Sequence, residues 1–380
     1  MFNVSSKSMF FIVFILSSIL LFAFISNYFS NLEPPKPTNF IGVTLLFSDT
    51  KRIIDFVEEV KDYVNLIILG ELNVTTNSTK LYPVFDYLHE KGLYFIPFMA
   101  FNDYIEDPNF FQIAKRRWKD HLLGVYVFDE PGGKQIDSAD HKPVDMAIDY
   151  SDAKFKYLQA LSNGFDQFVN YFNITEQPTI FTSDYALFWY DYSAGYNVVL
   201  SQFGWNQSSQ LNIALCRGAA NEYNSDWGTI ITWTFRFPPY LQNSEQLYEE
   251  MVLAYDNGAK YVVVFNFPTN LTEYGVLTKA HLESIIKFSE YTQKNKQPQI
   301  NEKIAYVLPE NYGFGFRGSN DKIWGLWGPD ELSSKIYENI LTLLETYNSQ
   351  LDITYNLEDS NSLSKYQQLI FWNGTIIEEP

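Results

Sequence analysis

Apolar residues fall along this chain in two alternating rhythms. Short continuous runs of β-branched and aromatic residues read as buried strands. Longer stretches with apolar positions every three or four residues read as helices. From Phe40 the order is strand, helix, strand, helix. The runs Phe40–Phe47, Tyr63–Leu69, Leu93–Phe101, Val125–Phe128, Pro178–Ser183, Tyr196–Phe203, Gly228–Phe235 and Tyr261–Phe267 predict strands. The segments Lys51–Lys61, Thr79–Lys91, Asp107–His121, Ser151–Phe172, Ala186–Ala194, Ser208–Glu222, Ser244–Asn257 and Leu277–Lys294 predict helices. Pro97 sits awkwardly inside the third run. Residues 132–149 read as an irregular insertion. Eight strand–helix units in succession predict a (β/α)8 barrel over residues 40–295. The alternative, an open doubly wound sheet, would want a glycine-rich loop after its first strand. Leu46-Phe47-Ser48-Asp49-Thr50 is not one.

A polar stretch from Asn295 to Glu302 predicts a boundary. Beyond it, Lys303–Leu308, Leu351–Tyr355 and Gln368–Trp372 read as strands and Glu331–Thr346 as a helix. Residues 303–380 therefore predict a small α/β layer of flavodoxin-like type. At the other end, Met9 to Ile25 is apolar except for Ser17 and Ser18, and Lys7 precedes it. That pattern predicts a signal anchor or transmembrane helix within residues 1–30, the short N-terminus inside and the bulk of the chain outside. A cleaved signal peptide is the alternative. A proline-rich linker, residues 31–39, follows. Sequons at Asn73, Asn77, Asn173, Asn206, Asn270 and Asn373 agree with an extracellular location at the cell membrane.

Composition narrows the function. Hydrophobic residues make up 46% of the 380 residues, enough for a large core. The formal net charge of -18 repels phosphate backbones, so nucleic acid is not an expected partner. One cysteine, Cys216, permits no disulfide within the chain. His89, His121, His141 and His281 are scattered, and Asp137, Asp140 and His141 fit no metal cage, so neither metal nor cofactor is expected.

Chemistry concentrates where the runs end. Val125-Tyr126-Val127-Phe128 passes abruptly into Asp129-Glu130-Pro131-Gly132-Gly133. In a barrel this is the catalytic face. Alternation would place Tyr126, Phe128 and Glu130 on one side of the strand and Val127 and Asp129 on the other. Other strand ends offer Glu71, Asp103, Asp184, Trp205, Arg236 and Asn266, with Trp189, Tyr190 and Trp233 nearby. Acids and aromatics on one face suit a saccharide. Glycoside hydrolysis uses two carboxylates, and ring faces stack on sugars. Each residue also has an ordinary reading. Asp184 could cap the next helix, Glu71 and Arg236 could form ion pairs, and the tryptophans could be core.

On the motif Phe128-Asp129-Glu130-Pro131-Gly132-Gly133 the chain resembles the β/α-barrel glycoside hydrolases. The resemblance implies that Glu130 is the general acid/base and that an oligosaccharide or glycan is the substrate. It covers residues 40–294. The small layer after the barrel is similar to that of certain barrel β-galactosidases. The chain departs from the largest clan at the seventh strand, which ends Thr234-Phe235-Arg236 with no acid. The second carboxylate is then expected from Asp184 first, with Asp129 and Glu71 after it. A non-catalytic barrel that binds glycans or serves as a cell-surface structural part is the alternative reading.

Overall fold

The computed structural model describes residues 36–100, 103–300, 303–355, 364–378 and 380. The expected anchor and most of the linker lie outside the described residues. Among the described residues no helix is long and apolar enough to cross a membrane.

Eight parallel strands close into a barrel in sequence order. They are β1 (Phe40–Leu45), β2 (Leu66–Leu69), β3 (Tyr94–Met99), β4 (Val125–Val127), β5 (Ile180–Asp184), β6 (Val198–Phe203), β7 (Asp226–Ile231) and β8 (Tyr261–Val264). β1 pairs with both β2 and β8, which completes the ring. The open-sheet alternative is thereby excluded. Pro97 stands inside β3 opposite Leu69. The helices around the ring are α1 (Thr50–Val60), α2 (Leu72–Thr75), α3 (Ser78–Glu90), α4 (Phe110–Arg117), α5 (Pro131–Asp137), α6 (Tyr150–Phe172), α7 (Phe188–Ala194), α8 (Ser209–Glu222), α9 (Ser244–Asp256) and α10 (Lys279–Lys294).

Local chemistry sets many of the starts. Asp49, Asn77, Asp149, Ser208, Asn243 and Thr278 each accept a backbone N–H at the first turn of the helix that follows. Two short helices were not expected. α2 begins at Glu71. α5 occupies the start of the expected irregular insertion, because Pro131 suits a first helical position.

Alternation along the strands divides the core in two. Inside the ring, Phe40, Leu66, Ile68, Tyr94, Ile96, Tyr126, Phe181, Val198, Leu200, Ile230, Tyr261 and Val263 pack together. The intervening residues face the helices in a larger cluster. One position further up, the interior side chains shrink. Thr44, Gly70, Ser183 and Thr232 replace bulky residues there. The barrel is therefore filled at the bottom and hollow at its carboxyl end.

After the barrel come β9 (Ile304–Leu308), α11 (Glu331–Tyr347), β10 (Leu351–Tyr355), β11 (Gln368–Phe371) and β12 (Ile376–Glu378). The sheet order is β10-β9-β11-β12. The first three strands are parallel, as a flavodoxin-like layer requires, while the fourth runs antiparallel to β11. This layer joins the barrel through a buried charge. Arg217 of α8 donates from Nε to Asp352 Oδ1 at 2.6 Å and from its other nitrogens to Asn257, Ser349 and Leu351.

Candidate active site in the mouth of the barrel

The hollow end is a cavity of about 170 Å³. Its acids and most of its other polar groups come from the ends of β4, β5 and β6: Tyr126, Asp129, Glu130, Ser183 and Gln202. The rest of the wall is Thr44, Leu46, Ile68, Gly70, Phe98, Ile230, Thr232, Trp233 and Phe265. Among the described residues no acid lines the cavity on that side.

The exit of β4 brings both acids into the cavity. Simple alternation would have separated them. Phe128 and Glu130 both hold left-handed backbone, with φ of 55° and 54°. This conformation costs of order 1–3 kcal/mol per residue and persists only where the surroundings fix it. Here they do. Thr182 Oγ1 donates to Phe128 O at 2.7 Å, and Glu130 N donates to Ser183 O at 3.0 Å. Lys134 donates to the carbonyl of Asp129 and lies over the Phe128 ring.

The two carboxylates are linked through neutral groups. Asp129 Oδ1 accepts from the Tyr126 hydroxyl at 2.5 Å and from Ser183 Oγ at 3.1 Å. Gln202 Nε2 donates to Ser183 Oγ at 2.9 Å and to Glu130 Oε1 at 2.8 Å. Gln202 is 5% exposed, and its Oε1 has no partner among the described residues. A buried acceptor left open in a cavity wall suits a ligand donor. Burial, and then the nearby charge of Asp129, hold the Glu130 carboxyl above the ordinary carboxylate range. The Gln202 hydrogen bond and Lys134 oppose this shift. Burial and Asp129 also push the Tyr126 phenol up, which keeps it a donor.

Asp184 lies elsewhere. It is fully buried, and its carboxylate accepts four backbone N–H bonds, from Gly132 (2.5 Å), Gly133 (2.8 Å), Tyr185 (2.7 Å) and Ala186 (3.1 Å). Alternation explains it: Phe181 and Ser183 point inward, so Asp184 points outward. Asp184 caps α5 from outside and so holds the turn that carries Glu130. The glycines are needed there. A Cβ on Gly132 would meet Ala186 O at 2.3 Å, and one on Gly133 would meet the Tyr185 ring at 2.3 Å. Burial pushes Asp184 up to about 7 against its four hydrogen bonds. Asp191, its buried neighbour, is also held well above the ordinary carboxylate range, by burial and then by the Asp184 charge.

Of the remaining candidates only Trp233 lines the cavity, packed edge-on to Tyr240 at 4.8 Å and tilted on Phe265 and Phe267. Trp205 stands beside it on the rim, 47% exposed, its N–H donating to Trp233 O at 2.7 Å. Arg236 is exposed over the Phe237 ring and faces no acid among the described residues. Glu71 precedes α2, accepts from Asn73 at 2.8 Å and does not line the cavity. Asp103 is exposed on the loop after β3. Trp189 and Tyr190 are core: Trp189 Nε1 donates to Ile353 O at 3.2 Å, and Tyr190 packs on Trp324 and Tyr355. Asn266 is fully buried, and alternation puts it with Val262 and Val264 on the helix side, while Phe265 faces the cavity. Ser183, with Tyr126 and Gln202, completes the site. Counting alternate positions up β5 and β6 from Phe181 and Leu200 leads directly to Ser183 and Gln202.

No protein-family model matches the sequence, and no curated protein matches it. The fold is similar to that of solved barrels. One is an alpha-L-fucosidase isoenzyme 2 from Paenibacillus thiaminolyticus, at 14% identity and a TM-score of 0.49, covering 87% of this chain. This chain spans 59% of that one. ScGas2, in complex with a compound, shares 11% identity over 69% of this chain and 68% of its own, TM-score 0.39. An orotidine 5'-monophosphate decarboxylase from Methanocaldococcus jannaschii shares 10% over 67% of this chain and 98% of its own, TM-score 0.32. A barrel fold hosts many chemistries, so the site and not the fold carries function.

Proposed function

We propose that the chain is a glycoside hydrolase whose active site is the cavity at the carboxyl end of the barrel. One observation carries the reading. A carboxyl with raised proton affinity, Glu130, lines a hollow barrel mouth beside a second carboxylate, Asp129, with an aromatic wall at Trp233. A carboxylic acid kept protonated by burial and by a neighbouring charge suits protonation of a leaving-group oxygen. Glu130 is the general acid. Asp129, tied to Tyr126 and Ser183, acts on the sugar beside it.

The test is glycan release by residues 38–380 and by their Glu130→Gln variant across oligosaccharides and surface glycans. Release by the wild type with loss of ~10²-fold or more in the variant supports the reading. Equal release by both overturns it. Glycan binding without release by either protein would favour a binding barrel, the reading that the acid-free wall across the cavity supports. We further propose that Met9–Ile25 anchors the protein in the membrane with the barrel outside. Release of intact protein from membranes by carbonate would contradict that.

A further inference from the structure

The shape of the cavity limits how a substrate enters it, on the reading above. Its floor is the filling of the barrel itself. Ile68, Tyr126 and Ile230, at 3%, 6% and 5% exposed, close it from below, with the Phe98 ring edge-on to Tyr126 at 5.5 Å. Beneath them lies an aromatic plug. Phe40 stacks on Tyr261 at 5.1 Å and meets Tyr94 edge-on at 5.2 Å, and Phe181 meets Tyr261 edge-on at 5.3 Å. A barrel filled in this way is a packed core and not a pore.

The sides are closed as well. All eight strands pair in one ring, so no gap between strands opens the lower cavity sideways. Where β7 and β8 end, Trp233 and Phe265 continue the wall, and Tyr240 and Phe267 pack on Trp233 at 4.8 and 5.5 Å. Among the described residues the cavity opens upward, past the strand ends.

Volume then limits the occupant. The 170 Å³ of the cavity is the space of about six waters. Clefts that take drug-sized ligands span about 300–1,000 Å³. A single pyranose with its hydroxyls is of the smaller size, and two linked rings are not. Gln202 Oε1, open in the wall, is placed to accept one of those hydroxyls. Asp129, the acid that acts on the sugar, is tied inward to Tyr126 and Ser183. The sugar whose anomeric carbon reacts therefore lies inside, and the oxygen that Glu130 protonates lies toward the mouth. We infer that the cavity holds only the terminal sugar at the non-reducing end of a chain, and that the enzyme removes one sugar at a time from that end. Cutting within a chain requires room for further sugars on both sides of the scissile bond. Here the inner side ends on Ile68, Tyr126 and Ile230.

The experiment digests pentasaccharides of glucose, galactose, mannose, xylose and N-acetylglucosamine, labelled at the reducing end with 2-aminobenzamide, with the full chain. Products are separated by chromatography at early turnover. The expected first products are free monosaccharide and labelled tetrasaccharide, with labelled trisaccharide only afterwards. Hexose chains capped by a benzylidene acetal on the terminal sugar should be cleaved ~10²-fold or more slowly, because the cap holds the reacting bond away from Glu130. Both measurements need only the wild type. Labelled di- or trisaccharide among the first products, labelled monosaccharide, or equal cleavage of capped chains would overturn the inference. If Glu130→Gln abolishes such internal cleavage, the functional reading stands without the inference. Cleavage unaltered by Glu130→Gln would instead overturn the reading itself. No cleavage of any chain, here or among the surface glycans, overturns both.

Discussion

Glu130 occupies a conformation that its own backbone disfavours, and this has a measurable consequence. Its left-handed φ of 54° and its buried carboxyl are both unfavourable in isolation. Glu130→Gly should raise the unfolding free energy by about 1 kcal/mol while abolishing turnover. Urea denaturation beside an activity assay checks both. A destabilised variant would show that the turn is not strained. The acid also predicts the pH profile. Because its proton affinity is raised, kcat/KM should fall as pH rises through a value above the ordinary glutamic acid range. Asp129 and Glu130 were legible in the sequence as acids after a buried run. Their joint entry into the cavity was not, because two left-handed residues break the alternation. Asp184 was legible as an acid but not as the cap it is, since its direction follows from Ser183 facing inward.

The short helix α5 ties the turn that carries Glu130 to the rest of the protein. Its first N–H groups bind Asp184, and its far end reaches the segment after β9. Asp137 accepts from the Arg317 guanidinium, which also holds Asp321. Gln135 Nε2 donates to Trp324 O at 2.8 Å. Arg317→Ala should lower kcat with KM little changed at temperatures where the variant is fully folded, and Arg317→Lys should recover part of it. Loss of thermal stability with unaltered kcat would make the clamp merely structural. Gly133→Ala, which forces a methyl into Tyr185, should cost about 1–3 kcal/mol. The strands of the ring were legible because a buried parallel strand is a continuous apolar run. α5 was not, since Pro-Gly-Gly reads as a breaker when only local preference is consulted. Its stability comes from Asp184 and from the clamp.

At the scale of the molecule, the eight-unit period predicted the barrel and the polar stretch marked the start of the second layer. The fourth strand of that layer, Ile376–Glu378, is exposed along its length and only three residues long, too short to show a period. One buried and one half-buried acid tie the stability of the barrel and its layer to pH. Asp184, at about 7, and Glu222, at about 8, both hold protons that their unfolded forms release near pH 4. Their stabilising contribution is complete below that value and is lost as pH rises to about 8. Thermal unfolding midpoints should fall across this window. Asp191→Asn, which keeps a neutral group beside Asp184, should be tolerated within about 1 kcal/mol. The central claim, that Glu130 donates the proton to the leaving group, is tested most directly by varying the leaving group. Wild type and Glu130→Gln are compared on a glycoside with an alkyl leaving group and on its 2,4-dinitrophenyl counterpart, which needs no proton. The account predicts a loss of ~10²–10⁴-fold on the first and less than about tenfold on the second. An equal loss on both, or none on either, would contradict it.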